Sequence, residues 1–443
     1  MDRHEPLCQH LNVTTRFLNG EALIAHYDAE ATYRLNEVGS FLWEQCLAPV
    51  STAGLTAQLA ERFGLAREQA EADTEGFVSE LLEDGLLVRE PAFAPPGYPR
   101  ARLSTPLWND LEKVGISQYV PVNTEVEITN RCNLSCQHCY LAPRGRVVLT
   151  GDETRGVIDD LEELGCFILT LTGGEIFLRR DTLDIVRYAR DRQFAVELLT
   201  NGNYISAETA QELARLGISR VQVSIYSADP EVHDRITRTR GSLERTIAGV
   251  KALTERGIKV VAACVVMSIN LETHRSVEIL AEELGAQPSF AYPVSAKVDG
   301  SKETHRLRLD HEQLYQFHSL NRQKVCRTFD RRTDEPPCHA GSAVCFINSN
   351  GDVYPCVVFP MSCGNIRRAE LKHIWHSSPQ LGTFRQVRIK DLRVCGECEL
   401  LPYCRLCPGL SWLEDGDMLG PSSIHCEMAR SNYRVLTGQP TGQ

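Results

Sequence analysis

Three thiols stand at Cys132, Cys136 and Cys139 in the stretch RCNLSCQHCY, directly after a strand-like run containing Val126 and Ile128. A tetrahedral zinc site or a fully ligated iron–sulfur cluster takes four protein ligands. Three cysteines spaced four and then three apart, with no fourth nearby, suit a cluster that keeps one iron open for another ligand. Two other readings share the spacing. It describes one stripe of a helix, and His138 could complete a zinc site, although adjacent His138 and Cys139 would strain to reach one ion.

The rest of the cysteine inventory points the same way. The chain has 443 residues and 17 cysteines. No run of about 18 apolar residues predicts a membrane span. The N-terminal MDRHEPLCQHLN lacks the apolar segment of a secretory signal, so the expected location is cytoplasmic. Disulfides are disfavoured there, and dense cysteine points to metal or catalysis. Three cysteines fall at 132–139 and ten at 326–426; Cys8, Cys46, Cys166 and Cys264 are scattered and read as small buried hydrophobes. A net charge of −11 excludes the basic footprint of a general nucleic-acid binder.

At roughly 150 residues per domain, two or three domains are expected. Residues 1–90 contain strand-like pieces (TRFLNG, EALIAHY, TYRLN) and then three helical stretches, the last with Phe77, Val78, Leu81 and Leu82 on one face. Proline density in PAFAPPGYPRARLSTP marks a linker, taken as 91–115. Residues 116–296 alternate strands with amphipathic helices. Val157, Ile158, Leu161 and Leu164 line one helix; Leu243, Ile247, Val250 and Leu253 line another. Gly165, Gly217, Gly257 and Gly285 stand where helices should stop. About six such βα units predict an α/β fold with a parallel sheet closed into a barrel or part of one. Ligands then belong at the C-terminal strand ends, where the three cysteines lie. A polar insert at 297–336, a cysteine-rich region at 337–430 and a tail at 431–443 complete the chain.

CxxxCxxC followed by Tyr140 on a βα barrel resembles the radical S-adenosylmethionine (SAM) enzymes. The resemblance implies a partial (β/α)6 barrel in which Cys132, Cys136 and Cys139 hold a 4Fe–4S cluster and SAM chelates its fourth iron. It further implies SAM contacts from Tyr140, from Gly173, Gly174 and Glu175 in LTLTGGE, and from Asn201 and Ser224 at the next two strand ends. Asn201 also suits a plain turn in NGN. The later cysteines resemble the SPASM extension of radical SAM peptide-modifying enzymes, with two auxiliary 4Fe–4S clusters. By position, Cys338, Cys345, Cys356 and Cys407 ligate the first, and Cys395, Cys398, Cys404 and Cys426 the second. Here Cys404 and Cys407 are one residue closer than the family usually has them. Two CxxC pairs five residues apart also suit a zinc ribbon. Eight cysteines for two clusters would leave no open iron, which suits electron transfer rather than substrate binding.

YRLN followed by VGSFLWE resembles the peptide-binding chaperone of pyrroloquinoline quinone biosynthesis, a winged-helix-like RiPP recognition element for ribosomally made peptides. The resemblance implies that a leader peptide adds as a strand at about Thr32–Leu35. The acidic EADTEGFVSELLEDG fits poorly with a nucleic-acid-binding winged helix. Together these features imply a maturase that abstracts hydrogen from a precursor peptide and closes a thioether or C–C crosslink. An external reductant of flavodoxin or ferredoxin type would be its electron source. No catalytic base is assigned. The alternatives are radical maturation of a whole protein, tetrapyrrole modification, or a non-enzymatic iron–sulfur electron carrier.

Overall fold

The computed structural model describes residues 4–10, 12–89, 105–141 and 148–439. Most of the linker sequence, 91–104, and the last four residues lie outside them.

The N-terminal strands are β1 (Pro6–Gln9), β2 (Val13–Leu18), β3 (Glu21–His26), β4 (Ala31–Arg34), β5 (Val50–Ser51) and β6 (Leu87–Arg89), forming two antiparallel sheets ordered β5-β1-β6 and β2-β3-β4. The three expected helices span Glu37–Gln45, Thr52–Phe63 and Arg67–Glu83. Asn36 and Ser51 cap the first two by accepting from Gly39 N and Gly54 N. Trp43, Leu55, Leu59 and Val78 are fully buried between sheet and helices.

The barrel strands are β7 (Asn123–Thr129), β8 (Ile168–Gly173), β9 (Ala195–Thr200), β10 (Arg220–Ser224), β11 (Val260–Val265) and β12 (Gln287–Ala291), all parallel and adjacent in chain order. Period-two alternation sends Val126, Ile128, Leu169, Leu171, Val196, Leu198, Val221 and Val223 outward into one core with the surrounding helices. The first of those helices, Gly151–Glu163, opens with a capping box between Thr150 and Glu153.

Three features go beyond the sequence reading. The stretch assigned to a linker ends in a helix, Thr105–Gln118, whose Leu107 and Leu111 are buried beneath the barrel. The tail is helical to Thr437, because Ser431 and Asn432 are buried on the helix Ser423–Thr437. The cysteine-rich region is not a separate sheet. Its β13 (Val344–Ile347) pairs in parallel with β7, and β14 (Asp352–Tyr354) and β15 (Gly364–Asn365) follow antiparallel, giving one nine-stranded sheet. The partial barrel therefore stays open between β12 and β7, whose far edge β13 occupies.

The N-terminal module seats on the underside of the barrel through Arg16. Its Nε donates to Cys166 O at 2.6 Å and one Nη to Arg192 O at 3.1 Å. The guanidinium lies 4.5 Å from the Phe194 ring centroid. Cys166 and Phe194 lie two residues and one residue before β8 and β9, so this contact is at the strand starts, opposite the three-cysteine loop.

Candidate active site and metal centres

The three-cysteine loop is fixed from three sides. From α-helix Pro230–Thr237, Thr237 O and Ile236 O accept from Ser135 N (3.1 Å) and Gln137 N (2.9 Å). From the end of β8, Gly174 N donates to Thr129 O (2.9 Å) and Glu175 N to Arg131 O (2.8 Å). Gly173 adopts φ +148°, and a Cβ on Gly173 or Gly174 would collide with the carbonyl oxygen of Thr129 or Arg131. The two glycines are thus required by the approach of the loop backbone itself. From the end of β9, Asn201 Nδ2 donates to Asn133 Oδ1 at 2.8 Å and lies 3.8 Å from Cys132 Sγ.

Glu175 is fully buried. Its carboxylate accepts from Thr200 Oγ1 (2.7 Å), Asn201 N (2.8 Å) and Phe177 N (3.1 Å), bracing β8 against β9. Asn201 is likewise 8% exposed and works as a brace as much as a turn residue. Ser224 stands two residues before Tyr226, which packs in one apolar cluster with Cys136. Tyr140 O accepts from Val298 N at 3.0 Å, tying the loop's end to the 297–336 insert.

Sequence reasoning missed Tyr226 and Asn133. Tyr226 is buried, packs edge-on against His138 at 4.7 Å and donates its backbone N–H to His233 Nδ1. His138 therefore packs against Tyr226, and burial pushes its pKa down to about 4. The signal for Tyr226 was available: it stands two residues after Ser224, on the same side of an extended run.

Burial, then the neighbouring Cys139 and Cys132, push the Cys136 thiol up to about 12; the other two are raised as well. Three thiolates in this position repel one another and lose solvation. Iron removes that penalty, because a coordinating thiol is deprotonated by the metal's own charge. The donor set fits a cluster held at three corners.

The later cysteines form two groups. Cys395, Cys398, Cys404 and Cys426 face one another. Cys338, Cys356 and Cys407 form the other. Cys345 does not join them. It sits on β13 opposite Thr124, on the outer face, where it is fully buried beside Cys363 and Cys166. Strand alternation sends its neighbour Phe346 to the face shared with Glu125, toward Cys356. The structure thus sets Cys345 apart from the three cysteines with which the sequence reading grouped it. Among the described residues no group of three or more cysteines draws its sulfurs within 4.8 Å of one another. A tetrathiolate zinc, with Zn–S bonds near 2.3 Å, needs about 3.8 Å between sulfurs.

The concave face of the barrel carries a row of carboxylates. Register aligns Glu125, Thr170, Glu197 and Arg220 across β7 to β10. Arg220 pairs with Glu197 at 2.7 Å, and Ser349 Oγ donates to Glu127 at 2.7 Å. Burial, then Glu127 and Glu197, push Glu125 up to about 7. The opposite wall is small: Ala263, Ser289 and Ala291 leave an open, solvent-reached space.

The match to known families follows this geometry. The Radical SAM superfamily model covers residues 126–282, the coenzyme PQQ synthesis protein D model residues 21–87, and the SPASM iron–sulfur cluster-binding domain model residues 338–408. The AdoMet-dependent heme synthase of Methanosarcina barkeri is 30% identical over 66% of this chain and 93% of its own length. The antilisterial bacteriocin subtilosin biosynthesis protein AlbA of Bacillus subtilis is 27% identical over 65% and 67%. The crystal structure of Streptococcus suis SuiB bound to precursor peptide SuiA shares the fold over 95% of this chain and 99% of that one, with TM-score 0.65 and 16% identity. The chain belongs to the radical SAM superfamily, carrying a PqqD-like module before the barrel and a SPASM domain after it. SAM and 4Fe–4S clusters are its cofactors. Among the described residues no helix is long and apolar enough to cross a membrane.

Proposed function

We propose that this chain is a maturase that binds the leader of a ribosomally made precursor peptide and installs a side-chain crosslink, C–S or C–C, in its core. The observation that carries the reading is the fusion of a PqqD-like module to a three-thiol barrel loop in one chain. Among the described residues β4 pairs with β3 alone, so Thr32–Arg34 offers a strand edge to an extended peptide. The relative crystallised with its precursor peptide shares the architecture across nearly the whole chain.

In this reading Cys132, Cys136 and Cys139 hold the first cluster, with Tyr140, Gly173, Gly174, Glu175, Asn201 and Ser224 around its cofactor. When bound, that pair supplies the hydrogen-abstracting 5′-deoxyadenosyl radical. The protein's part is placement: Tyr226 and Asn201 orient the loop, and the open concave face of the barrel receives the core peptide. Cys395, Cys398, Cys404 and Cys426 hold one auxiliary cluster. Cys338, Cys356 and Cys407 hold another at three corners, which leaves a position for a substrate thiol and favours C–S over C–C closure. A flavodoxin- or ferredoxin-type protein supplies electrons, and the protein works in the cytoplasm.

Mass spectrometry tests this. The iron-reconstituted chain, SAM and reductant are incubated anaerobically with a precursor peptide encoded beside it. A crosslinked product lighter by a pair of hydrogens is expected. A second reading rests on the heme synthase relative: modification of a tetrapyrrole. An unchanged peptide together with a converted porphyrin substrate would select that reading instead.

A further inference from the structure

The polar insert 297–336 has no place in the chemistry above, yet part of it threads between the two auxiliary thiol groups. Phe329 N donates to Pro402 O at 2.7 Å, two residues before Cys404. Further on, Lys390 N donates to Thr333 O (2.8 Å) and Ile389 N to Glu335 O (3.0 Å), and the segment then runs into Cys338. Arg331 lies in the middle. Its guanidinium stacks 5.0 Å from the Phe329 ring centroid, and Nη1 reaches Pro337 O at 3.4 Å. Its Nε is buried with no hydrogen-bond partner. The cation is within electrostatic reach of Cys338 in one group and Cys404 in the other, and both sulfurs feel it in return.

Arg331 is half-buried, and its buried Nε with an unspent donor is costly unless negative charge accumulates beside it. Thiolate-ligated clusters provide that charge, and each becomes more negative on reduction. A fixed neighbouring cation stabilises the reduced state more than the oxidised one and raises the potential. We propose that Arg331 raises the reduction potentials of both auxiliary centres and so tunes electron passage between them. Arg331 is a positioning residue that acts through the ligand sulfurs. The proposal rests on the reading that both thiol groups hold clusters. Glu335, exposed on the same segment, partly opposes it, and Arg430 adds a second cation beside Cys426.

The test uses the full chain carrying Cys132→Ala, Cys136→Ala and Cys139→Ala, so that only auxiliary signals remain. Iron content and EPR-monitored redox titrations are compared for this background and for added Arg331→Gln, Arg331→Met and Arg331→Lys. The expected result is a shift of auxiliary midpoints to more negative potential in the Gln and Met variants, with Lys close to the background. Unchanged midpoints at full iron loading would overturn the proposal. So would loss of iron from both Gln and Met while Lys stays loaded, since the charge would then be structural. A background chain with no auxiliary iron would instead sink the underlying cluster reading.

Discussion

Asn201 Nδ2 and Asn133 Oδ1 are joined at 2.8 Å, a bond that links the end of β9 to the residue after the first loop cysteine. The same amide nitrogen lies 3.8 Å from Cys132 Sγ. The most exposed of the three loop thiols is therefore held by a side chain from another strand.

Asn201→Ala removes that brace. A net loss of about 1 kcal/mol per hydrogen bond predicts a roughly five- to tenfold fall in SAM cleavage. Auxiliary iron should be unaffected. Production of 5′-deoxyadenosine and total iron, measured together, check this; equal losses at all centres would mean general unfolding.

Cys345→Ala should keep full iron loading, because the thiol faces Cys363 and Cys166 in the outer core. The cost is a small cavity, about 1–2 kcal/mol. Cys338→Ala should lose one cluster's worth of iron. Chemical iron assays on the two variants separate a ligand from a core residue, and iron loss from both would restore Cys345 to the ligand set.

Arg16→Ala breaks the seat of the N-terminal module. It strands the Cys166 and Arg192 carbonyls and removes the stack on Phe194, a buried loss of about 3 kcal/mol or more. Arg16→Met keeps the apolar stem and should be milder. Calorimetry should show the module melting separately in the Ala variant; a single unshifted transition would contradict the seat.

Glu125 carries a pH signature. Its folded pKa, pushed up to about 7, exceeds the unfolded carboxylate value near 4.3. Between these values the native state holds the extra proton, so the contribution is full below about pH 4.3 and fades as pH rises through about 7. A loaded cluster beside Cys356 adds negative charge and acts in the same direction. Glu125→Gln should flatten this slope and gain stability relative to the parent at pH 8, by of order 1–3 kcal/mol. Melting temperatures at pH 5, 6, 7 and 8 check the sign; parallel curves for the two proteins would refute it.

Local pattern carried much of this protein. The barrel's six strands, the helices between them and the three helices of the first module follow from hydrophobic period and capping residues. These are short-range properties that each segment expresses alone. The three-cysteine motif was equally legible, since its thiols are close in sequence. Tertiary structure decided what depends on strand pairing across long separations. Nothing local shows that Val344–Ile347 joins β7, yet that pairing turns Cys345 outward, toward Cys363 and Cys166. Nor does local sequence show that Arg331 lies between two thiol groups, or that Arg16 seats one module on another. A side chain's facing is set by its partner strand's register and burial, and those are properties of the assembled chain.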